Sequence, residues 1–203
     1  MRSGILRQAS VSIAALVIAT VVLGFGYPLA VTGISQLFFH GQANGSLVYS
    51  GGKLAGSALL GQSFTDAKGN PLPRYFQPRP SNAGAGYDGS SSGASNLGPS
   101  NPTLISDVSQ RVRAYRQFNH LAPNAAVPVD AVTASGSGLD PDISPAAAEF
   151  QIARVAHSRG MKEEDVRALV ERHTKGRDLG FLGEPRVNVL ELNLGLDSLH
   201  PTR

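Results

Sequence analysis

From residue 8 to residue 52 the chain carries no Asp, Glu, Lys or Arg. Residues 9–25, ASVSIAALVIATVVLGF, are almost wholly apolar, and apolar character resumes at Leu29, Val31, Ile34, Leu37, Phe38 and Phe39. A hydrocarbon core is crossed by about 20 residues of helix, so 8–39 is expected to be a transmembrane helix with tilt or overhang. Pro28 need not end it, because a membrane helix tolerates a kink. A helix apolar all round would find too little protein to bury it in a chain of 203 residues, which argues against a core helix. A cleaved leader shares the positive start and the apolar centre. Gly24-Phe25-Gly26 offers a small-x-small cleavage pattern, yet apolar residues continue well past it. A lipoprotein is excluded, since the chain has no cysteine.

Arg2 and Arg7 precede the apolar run. The positive-inside rule then keeps 1–7 in the cytoplasm and translocates the body, giving a single-pass membrane protein with an extracytoplasmic domain. Ser10, Ser12, Ala14, Ala15, Ala19, Thr20, Gly24 and Gly26 are small enough to let another helix approach closely. The formal charge of +3 misleads, because from residue 53 onward 16 basic side chains face 15 acidic ones. No concentrated basic patch is visible and tryptophan is absent, so nucleic acid is not an expected partner. The lack of cysteine also excludes a disulfide framework, thiolate metal sites and a cysteine nucleophile.

Residues 40–52, HGQANGSLVYSGG, read as an uncharged juxtamembrane linker, and 53–203 as one extracytoplasmic domain large enough for a core. Phe64-Thr65-Asp66 followed by Lys68-Gly69-Asn70-Pro71 reads as a strand and a turn. Tyr75-Phe76 reads as a strand end running into QPRPS, where Pro78 and Pro80 hold their predecessors extended. Residues 81–100 carry one charge and almost no bulky apolar groups, a composition that reads as disorder. Asn101-Pro102 caps a helix whose stripe is Leu104, Val108, Val112, Tyr115 and Phe118. Residues 127–132 read as a short strand or extended run. Ser144-Pro145 caps a second helix with Ala148, Ile152, Val155 and Ala156 inward and Gly160 at its stop. A third helix covers 162–173. The segment RVNVLELNLGLD alternates in two phases, which a bulge or strand break after Val189 would reconcile. The expected fold is a single N-terminal transmembrane helix plus a small mixed α/β (α+β) extracytoplasmic domain, without the repeated βαβ pattern of a Rossmann fold.

Chemistry is sparse. Ser135 and Ser137 in TASGSGLDP, with Asp140 and His157, permit a membrane-tethered hydrolase to be imagined, but the G-x-S-x-G elbow is missing. Their other reading is a turn in which hydroxyls bond backbone amides. His40, His120, His157, His173 and His200 form no metal-binding spacing. Glycine-rich loops beside Arg79 or Arg154 could hold phosphate or carboxylate, and a ligand-binding module built on 75–102 is a further alternative. Gln151, Arg154 and Arg159 lie within two turns of one helix, and Gln151 and Arg154 are expected to form an exposed polar patch.

Five stretches are more specific: YFQPRPS (75–81), SGASNLGPSNP (92–102), VPVDAVTASGSGLDPDIS (127–144), QIARVAHSRG (151–160) and GEPRVNVLELNLGLD (183–197). In this order, behind one N-terminal span, they resemble the C subunit of the bacterial Kdp potassium-transporting P-type ATPase, across essentially the whole chain. Ala94 and Gly195 are minor departures. The resemblance implies a non-catalytic subunit needed for assembly and stability of the pump near the potassium entrance. Its implied partners are a channel-like potassium-binding subunit, a P-type ATPase subunit that hydrolyses ATP, a small membrane peptide and the bilayer. It implies that 75–102 pack rather than float. It also carries a proposed catalytic-chaperone role with ATP as cofactor, whose contact falls on Gln151 with Arg154 beside it. That contact sits awkwardly with a translocated domain, where ATP is scarce, and no D-K-T-G phosphorylation motif occurs in the chain.

Overall fold

The computed structural model describes residues 2–199; His200 and the tail to Arg203 lie outside the described residues. It comprises two compact units, one up to Ser46 and one from Leu47 onward.

The first unit is the apolar helix. Helix α1 (Arg2–Val21) passes through a π-helical turn (Val22–Gly26) into α2 (Tyr27–Phe38), followed by the short α3 (His40–Ala43). Gly4–Phe38 is one helical stretch of 35 residues, long and apolar enough to cross a membrane. The π turn has a cause in the sequence. Pro28 has no N–H to offer the carbonyl four residues back, and its ring crowds that carbonyl. The preceding Tyr27 N–H reaches Val22 O instead, a bond one residue wider than the α pattern. The proline therefore widens the helix without ending it. At the far end the chain folds back, with the Asn44 amide bonded to the Gln36 side chain at 3.0 Å and to His40 O at 2.7 Å.

The second unit opens with a hairpin, β1 (Leu47–Ser50) against β2 (Lys53–Ser57). After a long irregular stretch comes α4 (Pro102–Phe118), and Asn101 caps it as expected, accepting from Thr103 N. Its stripe from Leu104 to Phe118 is half-buried. Residues 127–132 are not a strand: Val129–Ala131 form a 3-10 turn. Pro128 fixes the entry to that turn, and the Asp130 carboxylate is turned to accept from Ser144 N and Oγ.

Helix α5 (Pro145–Arg159) starts at Ser144, whose Oγ accepts from Ala147 N, and stops at Gly160 with φ +64°. It packs on α6 (Glu163–His173), which packs on α7 (Val189–Leu199). Three short antiparallel strands, β3 (Asp142–Ile143), β5 (Arg186–Asn188) and β4 (Thr174–Lys175), join in that spatial order. Ile143 pairs with Val187, which also pairs with Thr174. The core lies between this sheet and the three helices, with Phe76, Ile152, Val155, Val166, Leu192 and Leu196 fully buried.

The two-phase segment resolves differently from the expected pair of strand phases. Strand β5 ends at Asn188 and the chain turns helical at Val189. Val189, Leu192, Asn193 and Leu196 recur at three and four, and all four are buried. Leucine at every second position satisfied a strand alternation and a helix face at once, and tertiary packing chose the helix. The expected strands at 64–66 and 75–76 are likewise absent from the described regular structure; a lone bridge joins Thr65 to Pro71.

Candidate functional site: a polar clamp on residues 73–77

The segment Pro73-Arg74-Tyr75-Phe76-Gln77, a turn at Pro73-Arg74 running on into irregular chain, has no strand partner, yet each of its five carbonyls is taken by a side chain. Arg154 Nη1 donates to the carbonyls of Pro73 and Tyr75. Arg159 Nε donates to Arg74 O at 2.7 Å. Asn193 Nδ2 donates to Phe76 O at 3.0 Å and Gln151 Nε2 to Gln77 O at 3.1 Å. The two carboxamides also accept from the N–H groups of the same residues, Asn193 Oδ1 from Phe76 at 2.9 Å and Gln151 Oε1 from Gln77 at 2.8 Å. Each amide thus imitates a neighbouring strand, and the backbone is satisfied without a sheet.

The donors come from facing helices because of their spacing. Gln151 and Arg154 are one turn apart on α5, and Arg154 Nη2 donates to Gln151 Oε1 at 2.8 Å. Arg154 Nε donates to Asn119 Oδ1 at 2.9 Å, at the end of α4, and its guanidinium lies 4.3 Å from the Phe118 ring centroid. Arg159 reaches across to Asp197 on α7 at 2.8 Å, and Tyr75 OH donates to the other Asp197 oxygen at 3.0 Å. Burial lowers the Arg154 guanidinium to about 10, still leaving it charged at neutral pH.

The expectation that Gln151 and Arg154 form an exposed patch is overturned. They are 2% and 3% exposed. Polar residues on the solvent side of a helical wheel stay exposed only if nothing crosses that side; here residues 73–77 cross it. Arg159 has its side chain buried as well.

Beyond the clamp, Gln151 also lines a cleft of about 370 Å³ with Gln77, Pro78, Arg79, Tyr87 and Tyr115. Arg79 pairs with Asp140 at 2.8 Å. Tyr87 OH donates to Arg79 O and Tyr115 OH to Ala147 O, and burial raises both phenols above their usual range, so both remain protonated donors. The wall next to it is the stretch that read compositionally as disorder. Ser81 Oγ donates to Gly138 O at 2.6 Å and accepts from Ala83 and Tyr87 N–H, while Gly93 N donates to Ser137 O at 2.9 Å. Ala83 is fully buried against this turn.

The hydroxyls singled out as nucleophiles are engaged in that turn. Ser135 Oγ accepts from Gly138 N and Ser137 Oγ from Leu139 N. His157 is exposed on α5 and Asp140 serves Arg79. Among the described residues no group of three or more His, Cys, Asp or Glu is placed to hold a metal ion. Sequence reasoning missed Asn119, Asn193 and Asp197. For Asn193 a signal existed: a polar residue in register with Val189, Leu192 and Leu196.

Helix and domain together define a single-span membrane protein with a small α/β domain whose buried polar side chains hold backbone. The family model for the KdpC K+-transporting ATPase c chain matches residues 9–198, and the chain belongs to that family. It is 53% identical over 185 residues to the potassium-transporting ATPase KdpC subunit of Koribacter versatilis, covering 91% of each chain. It is 53% identical to the corresponding subunit of Mycobacterium tuberculosis over 95% of this chain and 99% of that one. With the subunit of Caulobacter vibrioides the identity is 53% over 97% and 94%.

Proposed function

We propose that the chain is a non-catalytic accessory subunit of an ATP-driven potassium uptake pump, assembling and stabilising the complex near the potassium entrance. The observation that carries this reading is the reach of the family match, which runs through the span and the domain alike, residues 9–198. The helix holds the subunit in the inner membrane with its N-terminus inside. Its small residues pack on helices of the channel-like potassium-binding subunit, the catalytic P-type subunit and the small membrane peptide. The domain lies on the periplasmic side, and ATP is hydrolysed in the catalytic subunit.

The test is complementation. In cells lacking their own C subunit, this chain restores growth at low potassium, copurifies with the other subunits and supports potassium-stimulated ATPase activity. A phosphatase fused after residue 60 is active outside the cytoplasm. Copurification failure, or a phosphatase that works only as a cytoplasmic reporter, would sink the reading.

Nucleotide binding at Gln151 and Arg154 is a second proposal. What supports it is the cleft beside Gln151, with Arg79 and Tyr115 in its wall. Against it stands the engagement of both Gln151 amide atoms in holding Gln77. Calorimetry on the full chain in detergent with ATP, GTP and pyrophosphate decides. Weak binding of all three without base preference is expected, and a tight ATP-selective signal would establish a nucleotide site.

A further inference from the structure

The β1–β2 hairpin leaves one face uncovered. Tyr49 and Leu54 are cross-strand partners, 61% and 59% exposed, and Leu47 shares the face of Tyr49 at 46%. The opposite face is committed to the domain: Val48 is half-buried, and a Cβ built on its partner Gly56 would lie 3.0 Å from Leu190 Cδ2. Two strands alone make a hairpin of marginal stability in water. Three large apolar side chains turned outward make water a poor neighbour for this one.

What lies opposite follows from the chain itself. Leu37, Phe38 and Phe39 are exposed apolar side chains at the end of the membrane helix, so the outer edge of the hydrocarbon falls there. Asn44 is tied back to Gln36, in the last turn of α2, by two side-chain bonds of 3.0 and 3.3 Å. Leu47 follows Asn44 by three residues, a reach of at most about 11 Å. The hairpin therefore starts within or just above the headgroup layer, which is about 5–8 Å deep on each side. Its composition suits that layer. Lys53 is the sole charge from residue 8 through residue 65, and it sits at the hairpin end. A tyrosine with an apolar body and a polar tip favours the same depth.

We propose that the Leu47, Tyr49 and Leu54 face is a lipid contact: it lies on the periplasmic leaflet at the headgroup–acyl boundary, with the Lys53 ammonium reaching for phosphate. The hairpin is then a second membrane attachment that restricts how the domain can tilt on its anchor. This goes beyond the pump reading and needs only the span.

The absence of tryptophan gives a clean probe. Tyr49→Trp, Leu54→Trp and, as a reference on the exposed Asp66–Asn70 turn, Lys68→Trp each place one indole in the full chain. Each is inserted in vesicles of phosphatidylethanolamine and phosphatidylglycerol recovered by flotation, with or without lipids brominated close to the headgroup. All three positions are exposed, so the fold tolerates the change. The expected result is blue-shifted emission from the Tyr49→Trp and Leu54→Trp proteins, quenched by bromolipid several-fold more than that of Lys68→Trp. Quenching at the two hairpin positions no stronger than at the reference overturns the proposal. Blue-shifted emission without bromolipid quenching does so too, and shows that protein covers the face.

Discussion

Gln151 holds both backbone polar groups of Gln77, accepting from its N–H at 2.8 Å and donating to its carbonyl at 3.1 Å. Asn193 does the same for Phe76 from a different helix. Two carboxamides on α5 and α7 thereby replace the strand that residues 73–77 lack. Arginines fill the remaining carbonyls because a guanidinium donates in several directions from one plane.

This relationship predicts that Gln151 is first a stability residue. Gln151→Ala leaves the half-buried Gln77 backbone groups and one buried Arg154 N–H without these partners, a loss of about 2–4 kcal/mol. Gln151→Glu keeps the acceptor and loses the donor, and it falls between. Urea unfolding of the full chain in mild detergent reads both. Any fall in nucleotide affinity in Gln151→Ala should therefore arrive with lowered stability; a fall with unchanged unfolding would show a direct contact.

Arg154 should be harder to replace. Arg154→Met strips donors from Pro73 O, Tyr75 O and Asn119 Oδ1 at once, and leaving several neutral acceptors short of partners costs about 3–5 kcal/mol in total. Arg154→Lys restores the charge but cannot span acceptors on three sides, so it recovers little. Thermal unfolding of the two variants should place them close together. A lysine variant near wild type would show that charge, not the fork of donors, is what the site needs.

Asp142 makes a pH prediction with a defined sign. Burial, reinforced by the neighbouring Asp140, raises its pKa above the usual 3.8, against weaker opposition from Arg186 and Lys175. A carboxyl raised on folding binds its proton more tightly in the native state. It therefore subtracts stability as pH rises from 3.8 through the raised value, and the loss is complete above it. Asp142→Asn should gain on wild type across that window and hold the gain to neutral pH. Denaturation at stepped pH checks it; a gap that narrows as pH rises contradicts the assignment.

The membrane helix yields a packing test. In the isolated chain a Cβ at Gly24 meets nothing nearer than Thr20 Cγ2 at 3.8 Å, so bulk there does not disturb the helix itself. Gly24→Leu, with Ala15→Leu and further small-to-leucine changes, should include at least one that releases the subunit from the pump in mild detergent. A series that leaves copurification intact throughout would show that the helix only tethers.

Legibility differed by region for physical reasons. The span, the two capped helices and the Gly160 stop were readable because charge, caps and left-handed glycine are local signals. The C-terminal helix was not, since alternating leucines fit two periods and only packing on α6 selects one. The clamp was hidden because burial of Gln151 and Arg154 depends on a segment some 75 residues away in sequence crossing their face. Residues 81–100 read as disorder because their order comes from backbone bonds to another turn, which composition does not record.

That turn supplies the last prediction. Gly138 has φ +68°, and a Cβ there would stand 2.7 Å from Ala83 N, 2.8 Å from Gly93 O and 2.9 Å from Ala83 Cβ. Two of these neighbours are backbone atoms of the very segment the turn holds in place, so neither a rotamer change nor a small shift relieves the contact. Gly138→Ala combines a left-handed conformation costing about 1 kcal/mol or more with overpacking of about 1–3 kcal/mol. The relief available is to push 81–93 off the turn, breaking the Ser81 bond to Gly138 O and the Gly93 bond to Ser137 O. The variant should therefore lose stability by about 2–4 kcal/mol and become sensitive to protease within 84–100, where the wild type resists. Gly136, two residues earlier, has open space where its Cβ would be, and Gly136→Ala should behave as wild type in both assays. Equal protease sensitivity in the two variants would mean that the loop is held by something other than its contact with Gly138.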